Sequence, residues 1–289
     1  MMDKNHGRVL FDKGRVLLFP PSTLSKDSVH SIASVVSLGT ETRQLKKTKN
    51  GEPSFAGYMN LVDAGDDGHW ILPTPHGSTN ATAMKNPRAL AVEKRLPLHY
   101  IAASRFQLIA AANLLPDTFY SGQAAVLGSG PVAFGCVLEL TRKKVDTIHV
   151  VSKHPEYTHS LLPWTHSMAS CRKNMFDVVY DCTGDLSSAL EIVKDGGVIS
   201  VLGTPSEDYS FDLLAVHRRG ITLLGMHELR PSAEDYLARF EQVCSWLSCA
   251  VKDNLLSQMC TYWPGEKAPE LYERIGTHQR FGPFIMFQW

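Results

Sequence analysis

The chain has 289 residues, 44% of them hydrophobic and 20% charged, the proportions of an ordinary globular protein long enough for a sizeable core and two domains. Lys and Arg number 29 and Asp and Glu 29, so no basic excess points to nucleic acid or to an anionic membrane surface as a partner. No stretch reaches the roughly 20 apolar residues of a membrane span, and Met1–His6 is too polar for a signal peptide, so a cytoplasmic protein is expected.

The first hundred residues read as a compact, mostly β domain. Arg15–Phe19 precedes Pro20-Pro21, Ser31–Leu38 carries β-branched residues, and Tyr58–Val62 and Trp70–Leu72 are brief apolar runs. Turn formers cluster between them, at Asn50-Gly51-Glu52-Pro53 and at Ala64-Gly65-Asp66-Asp67-Gly68. From His99 to Asn113 the apolar spacing turns helical, ending near Pro116.

Strands and helices then alternate. Strands are expected at Ala124–Leu127, Ile148–Val151, Phe176–Cys182, Gly197–Leu202 and Ile221–Met226, with helices at Pro131–Thr141 and Ser187–Lys194. That order predicts a doubly wound parallel sheet with crossover helices, an α/β fold. Ser232–Ala250 reads as a long amphipathic helix capped by Ser232, followed by a helix at Ala268–Ile275 and a strand around Pro283–Phe287.

Six cysteines occur, at positions 136, 171, 182, 244, 249 and 260, with no Cys-x-x-Cys pair. In a chain with this much core they are expected as free, buried, small apolar side chains. His149, His159, His166 and His217 fall in no ligand spacing, and Tyr157 and Trp164 are expected to pack locally.

The most informative stretch is Ala124-Ala125-Val126-Leu127-Gly128-Ser129-Gly130-Pro131-Val132-Ala133. A strand runs into a glycine turn and a helix begins. Gly128 permits the turn, Gly130 lets backbone approach a pyrophosphate, and Ala133 is small enough for helix to pack on strand. The helix N-terminus offers N–H groups and a positive dipole end to phosphates. The pattern predicts a dinucleotide site. An NAD site places Asp or Glu after the second strand, for the ribose hydroxyls. Here Ser152 and Lys153 follow Val151, which suits the 2′-phosphate of NADP. A charge-assisted bond there contributes on the order of 1.5–3 kcal/mol. The plainer alternative is a solvated loop lysine. An S-adenosylmethionine methyltransferase shares the strand–glycine–helix logic and ranks last, because its acidic residue is missing.

Four segments in order resemble the medium-chain dehydrogenase/reductase family along almost the whole chain. Besides the glycine turn they are Phe176-Asp177-Val178-Val179-Tyr180-Asp181-Cys182-Thr183-Gly184, Asp195-Gly196-Gly197-Val198-Ile199-Ser200-Val201-Leu202-Gly203, and Ala268–Ile275 with Gly282-Pro283-Phe284-Ile285-Met286. The resemblance implies a Rossmann dinucleotide-binding domain at 106–245. It also implies a shortened β-rich, GroES-like catalytic domain at 1–105, completed by 246–289. It carries Gly128, Ser129, Gly130, Pro131, Val132, Ser152, Lys153, Thr183 and Gly203 over as cofactor contacts.

Many members of the family hold a catalytic zinc through a Cys and a Gly-His-Glu segment. Here Ser37-Leu38-Gly39-Thr40-Glu41 has leucine in the Cys place, and Gly57-Tyr58-Met59 has Tyr and Met for His and Glu. Leu and Met are unsuited to zinc. The pieces look most like a zinc-lacking branch that includes the bacteriochlorophyllide hydroxyethyl dehydrogenases. The expected function is a zinc-independent, NADP(H)-linked oxidoreductase moving hydride to or from a small organic substrate, a ketone or alcohol, an activated C=C bond or an imine. Without a metal, hydroxyl and imidazole groups must stabilise the developing anion. The candidates are Thr40, in the place of the family's proton-relay hydroxyl, Tyr58, in the place of a histidine ligand, and His76 on the loop Pro73–Gly77. Each has an ordinary alternative, as turn residue, core aromatic and loop histidine. By analogy a homodimer is expected. The competing function is a non-catalytic nucleotide-binding protein derived from such an enzyme.

Overall fold

Of the computed structural model of this chain, residues 7–20, 28–112, 123–153, 165–205, 209–225, 227–277, 279 and 281–289 are described. Tyr157, His159 and Trp164, and the ends expected at Asn113 and Met226, lie outside these residues. The chain divides into two compact units, Met1–Ala102 with Leu256–Trp289, and Ala103–Leu255.

The first unit holds strands β1 (Arg8–Asp12), β2 (Arg15–Phe19), β3 (His30–Val35), β4 (Ser54–Phe55), β5 (Asn60–Asp63), β6 (His69–Leu72) and β7 (Leu90–Val92), with helix α1 (Leu38–Lys47) between β3 and β4. The C-terminal residues add β14 (Cys260–Pro264), α8 (Ala268–Gly276) and β15 (Phe284–Gln288). A six-stranded sheet runs β14-β15-β3-β5-β6-β7, and a three-stranded sheet runs β2-β1-β4. Strand β15 pairs parallel with β14 and antiparallel with β3. The core joins Val9, Phe11, Val36, Ala56, Leu271, Tyr272, Ile285 and Phe287, so early and late sequence share one apolar interior.

Strand β1 and helix α1 were not expected from the sequence. Gly39, Thr40 and Thr42 are poor helix formers, and the pattern reads locally as a turn. A local cap and a tertiary bond override that weak preference: the carboxylate of Glu41 accepts from the Ser37 backbone N–H at the helix start (2.8 Å) and meets Nε2 of His76 (3.2 Å), and Glu41 is buried.

The second unit is the doubly wound one. Its parallel sheet runs β10-β9-β8-β11-β12-β13, with β8 at Ala124–Leu127, β9 at Ile148–Val151, β10 at Thr165–Met168, β11 at Phe176–Asp181, β12 at Val193–Val201 and β13 at Thr222–Gly225. All four residues of β8 are buried, as a strand covered on both faces requires. Helices α3 (Pro131–Arg142), α4 (Leu186–Ile192), α5 (Leu213–Arg219) and α6 (Ala233–Ala250) belong to this unit, and α2 (Leu98–Ala111) and α7 (Asp253–Gln258) run through its two boundaries. The division at 255/256 leaves α6 whole, whereas one at 245/246 would cut it.

Several edges differ from the expected elements. Helix α4 begins at Leu186, because the Asp185 side chain caps it by accepting from the Ser188 N–H (3.3 Å). Strand β12 begins at Val193, before Gly197, through a register shift against β11. Strand β10 is polar, Thr-His-Ser-Met, and is held by pairing to β9 along the sheet edge rather than by burial. The long helix starts as expected, with Ser232 accepting from the Asp235 N–H (3.1 Å). All six cysteines are free, but Cys249 is exposed and only Cys136 is fully buried.

Where α2 meets α3 the backbones touch. A Cβ placed on Gly135 would lie 2.3 Å from the Phe106 carbonyl oxygen. Beside that crossing the buried Glu139 carboxylate accepts from Gln107 (2.9 Å) and Arg142 (2.8 Å). Among the described residues no helix is long and apolar enough to cross a membrane.

Candidate functional site

Two polar constellations stand out, one in each unit. In the second unit β8 lies where the sheet reverses its order, with β9 on one side and β11 on the other. Open α/β sheets bind ligands outside the carboxyl ends of strands at such a switch point. The glycine turn sits there. Gly128 has φ +116°, a backbone state that L side chains rarely adopt, and its N–H donates to the Val151 carbonyl (2.8 Å). Gly130 is the N-cap of α3, with no side-chain cap, and Pro131 opens the helix. Among the described residues, a Cβ on Gly130 would meet nothing within 4 Å, so they leave the space in front of the helix end open. Val132 lies in the same first turn.

The expected cofactor residues separate into different duties. Ser152 is buried and its hydroxyl donates to Ser129 (2.8 Å), tying the end of β9 to the glycine turn. Its hydroxyl is thus engaged by the protein, whereas Lys153 is exposed. Thr183 gives both its N–H (2.8 Å) and its hydroxyl (2.6 Å) to Asp181. Burial pushes the Asp181 carboxyl upward, against the hydrogen bonds from Thr183 and Gly184. A Cβ on Gly203 would lie 2.5 Å from the Gly184 nitrogen. Gly203 therefore lets the ends of β11 and β12 close together. Beyond this turn, the Asp185 carboxyl is held low by the Ser188 hydroxyl, with Lys153 as a distant positive contributor.

In the first unit the three expected catalytic residues have three different settings. Thr40 is exposed on α1. Tyr58 is half-buried, and its phenol donates to the Ser37 hydroxyl (3.1 Å). His76 has no exposed surface: Nδ1 is 2.8 Å from the Ser34 hydroxyl and Nε2 is 3.2 Å from Glu41 Oε2. The Tyr272 phenol donates to the same carboxylate oxygen, and the Trp289 indole donates to Ser34 (2.9 Å). A carboxylate at Glu41 makes Nε2 the protonated nitrogen of His76 and leaves Nδ1 to accept from Ser34. Tyr58 and His76 are thereby joined through Ser37 and Glu41, while Thr40 stands apart.

Sequence reasoning missed Glu41, Ser34, Tyr272 and Trp289. The one available signal was an acid at the end of the quoted Ser37–Glu41 segment.

Burial and the neighbouring Glu41 hold the Tyr272 phenol well above its ordinary value. The folded protein keeps this proton after the unfolded chain has lost it, above about pH 10. The contribution is present below that pH and falls as pH rises further. In an alkaline titration followed by tyrosinate absorbance, Tyr272 should ionise only with unfolding, together with any contribution of the equally buried Tyr180 and Tyr236. Tyr272→Phe should shrink that late component by one tyrosine; a late component of unchanged size would assign it elsewhere.

Leu38 and the buried Met59, which hold the places where the resemblance puts zinc ligands, are poor donors to zinc. Among the described residues no group of three or more His, Cys, Asp or Glu is arranged to hold a metal ion.

Residues 138–247 match the family model described as zinc-binding dehydrogenase. No curated protein matches the sequence. Similar solved structures include acetophenone reductase from Geotrichum candidum NBRC 4597 in complex with NAD, at 13% identity and TM-score 0.73, covering 100% of this chain and 98% of that one. Benzyl alcohol dehydrogenase from Acinetobacter calcoaceticus is 12% identical with TM-score 0.72, covering 98% and 99%. TarJ from S. aureus in complex with NADPH is 11% identical with TM-score 0.69, again covering 98% and 99%. The resemblance to medium-chain dehydrogenase/reductases is thus borne out, by sequence over much of the second unit and by fold over the chain.

Proposed function

From this medium-chain dehydrogenase/reductase fold, we propose that the chain is a zinc-independent, NADP(H)-dependent oxidoreductase acting on a small organic molecule. Hydride passes to or from a ketone or alcohol, an activated C=C bond or an imine. The observation that carries the reading is the open helix end at Gly130, placed at the sheet's switch point and entered through a glycine at φ +116°. Relatives of the same fold are described with NAD and with NADPH, which supports a nicotinamide dinucleotide here.

When bound, the cofactor supplies or accepts hydride. The chain's own contributions are the following. Gly128, Ser129, Gly130, Pro131 and Val132 seat the pyrophosphate on the α3 terminus. Lys153 meets the 2′-phosphate, with Ser152 holding the turn in place through Ser129. Thr183 and Gly203 shape the far wall. As charge develops, Tyr58 turns its single phenolic O–H from Ser37 to the substrate oxygen or enolate, the Ser37 hydroxyl then donating to the phenol oxygen, and Thr40 adds a hydroxyl. His76, enclosed on all sides, supports rather than touches the substrate. A homodimer is supported by β13, which ends its sheet, and by Leu213 and Leu214 on α5, at 67% and 54% exposure.

The test is a fluorescence titration with NADPH and NADH. NADPH should bind more tightly, and Lys153→Ala should weaken NADPH about tenfold while leaving NADH unchanged. If neither cofactor binds at millimolar concentration, the reading falls. An equal loss for both cofactors would remove only the 2′-phosphate assignment. Turnover is followed by reduced-nicotinamide absorbance with acetophenone as the first probe.

One observation favours the non-catalytic alternative: His76, an expected catalytic group, is sealed in the core. That reading gains if cofactor binds but Thr40→Ala, Tyr58→Phe and His76→Ala all leave cellular function intact.

A further inference from the structure

We propose that Glu41 is the positioning residue for Tyr58, holding its phenol through two contacts at once. The inference rests on the reading of Tyr58 as the donor to substrate. The first contact runs through Ser37. Glu41 Oε1 accepts from the Ser37 N–H (2.8 Å), and the Ser37 hydroxyl in turn accepts from the Tyr58 phenol (3.1 Å). The second runs through His76. Glu41 Oε2 binds Nε2 of the imidazole (3.2 Å), and the His76 N–H donates to the Ala56 carbonyl (2.9 Å). The ring then fills the place where a side chain on Gly57 would stand, 2.7 Å from its Cβ position. Gly57 itself has φ +93°, a turn that glycine tolerates and that aims the next residue, Tyr58.

One carboxylate therefore governs the acceptor of the phenol and the wall behind the backbone that carries it. Glu41, Ser37 and His76 are 1%, 4% and 0% exposed, so water has little access to the bonds among these three, while the Tyr58 phenol beyond them is half-buried. A buried network with every member satisfied holds a single geometry. Catalytic hydrogen bonds need such support, because a small misplacement costs up to about a hundredfold in rate. Tyr272 and Trp289 brace the same network from its far side, and neither touches Tyr58 in these bonds.

The experiment is fluorine NMR of the whole protein labelled with 3-fluorotyrosine, the Tyr58 resonance being assigned by its loss in Tyr58→Phe. Glu41→Gln keeps the shape but loses a charged acceptor, and Ser37→Ala removes the hydroxyl that accepts from the phenol without removing a helix cap, since Ser37 makes no side-chain cap. Both should shift and broaden the Tyr58 resonance while NADPH affinity stays as in the parent. Should Glu41→Gln fail to fold, Glu41→Asp, which keeps the charge and shortens the arm, is read the same way. A Tyr58 resonance unmoved in Ser37→Ala, or unmoved in the Glu41 variant, overturns the proposal. If the resonance responds in both but Tyr58→Phe leaves acetophenone turnover intact, the positioning holds and the catalytic role of Tyr58 falls. Where acetophenone is turned over, the Glu41 and Ser37 variants should lose about tenfold to a hundredfold in turnover.

Discussion

Gly135→Ala should destabilise the protein by about 1–3 kcal/mol or more, as overpacking of a close-packed interior does. The added methyl group has no side chain to push aside. It would sit 2.3 Å from the Phe106 oxygen and 2.4 Å from its carbonyl carbon, so either α2 or α3 must move bodily. Movement at that crossing also strains the buried bonds of Glu139 to Gln107 and Arg142. Alanine favours helix over glycine by up to about 1 kcal/mol, which offsets only part of the loss. Thermal unfolding read by circular dichroism is the measurement. A variant as stable as the parent would mean that the helices do not cross there.

Gly130→Val, five residues earlier, should have the opposite character. Gly130 has φ −80°, ordinary for any residue, and none of the described residues obstructs its Cβ. Stability should fall only by the preference of an N-cap for glycine over valine, about 1 kcal/mol. The side chain would instead occupy the open space in front of the α3 terminus, where the pyrophosphate is proposed to sit. Charge-assisted bonds to phosphate contribute about 1.5–3 kcal/mol each, so losing even one weakens NADPH roughly tenfold to a hundredfold. The comparison separates fold from site within one helix. NADPH binding at the parent's affinity in Gly130→Val would place the dinucleotide elsewhere.

The parts of this molecule legible in its sequence are those determined locally. Strands β8, β9 and β11 announce themselves as apolar runs, and the turn after β8 by its two glycines, because a parallel strand buried on both faces needs no distant partner to be recognised. Helix α1 was hidden by Gly39, Thr40 and Thr42, whose weak preferences were overruled by bonds to Ser37 and His76. Strand β10 was hidden because polar residues at a sheet edge carry no hydrophobic period. The Glu41 network was illegible for a deeper reason. Its members come from α1, β3, a loop, α8 and the final residue, and nothing in their spacing shows that they meet. Tyr58 and His76 could be named one at a time, but not the carboxylate that joins them.

Strand β15 has a consequence for how this chain comes into being. Synthesis proceeds from the N-terminus, and Ser34 waits for a hydrogen bond from Trp289, 255 residues later. Strand β3 likewise waits for β15 before that edge of its sheet is covered. The second unit is one uninterrupted stretch and can acquire its shape while the ribosome is still working. The first stays open until β15 has been made, its β3 edge exposed until then to chaperones or to a neighbouring nascent chain.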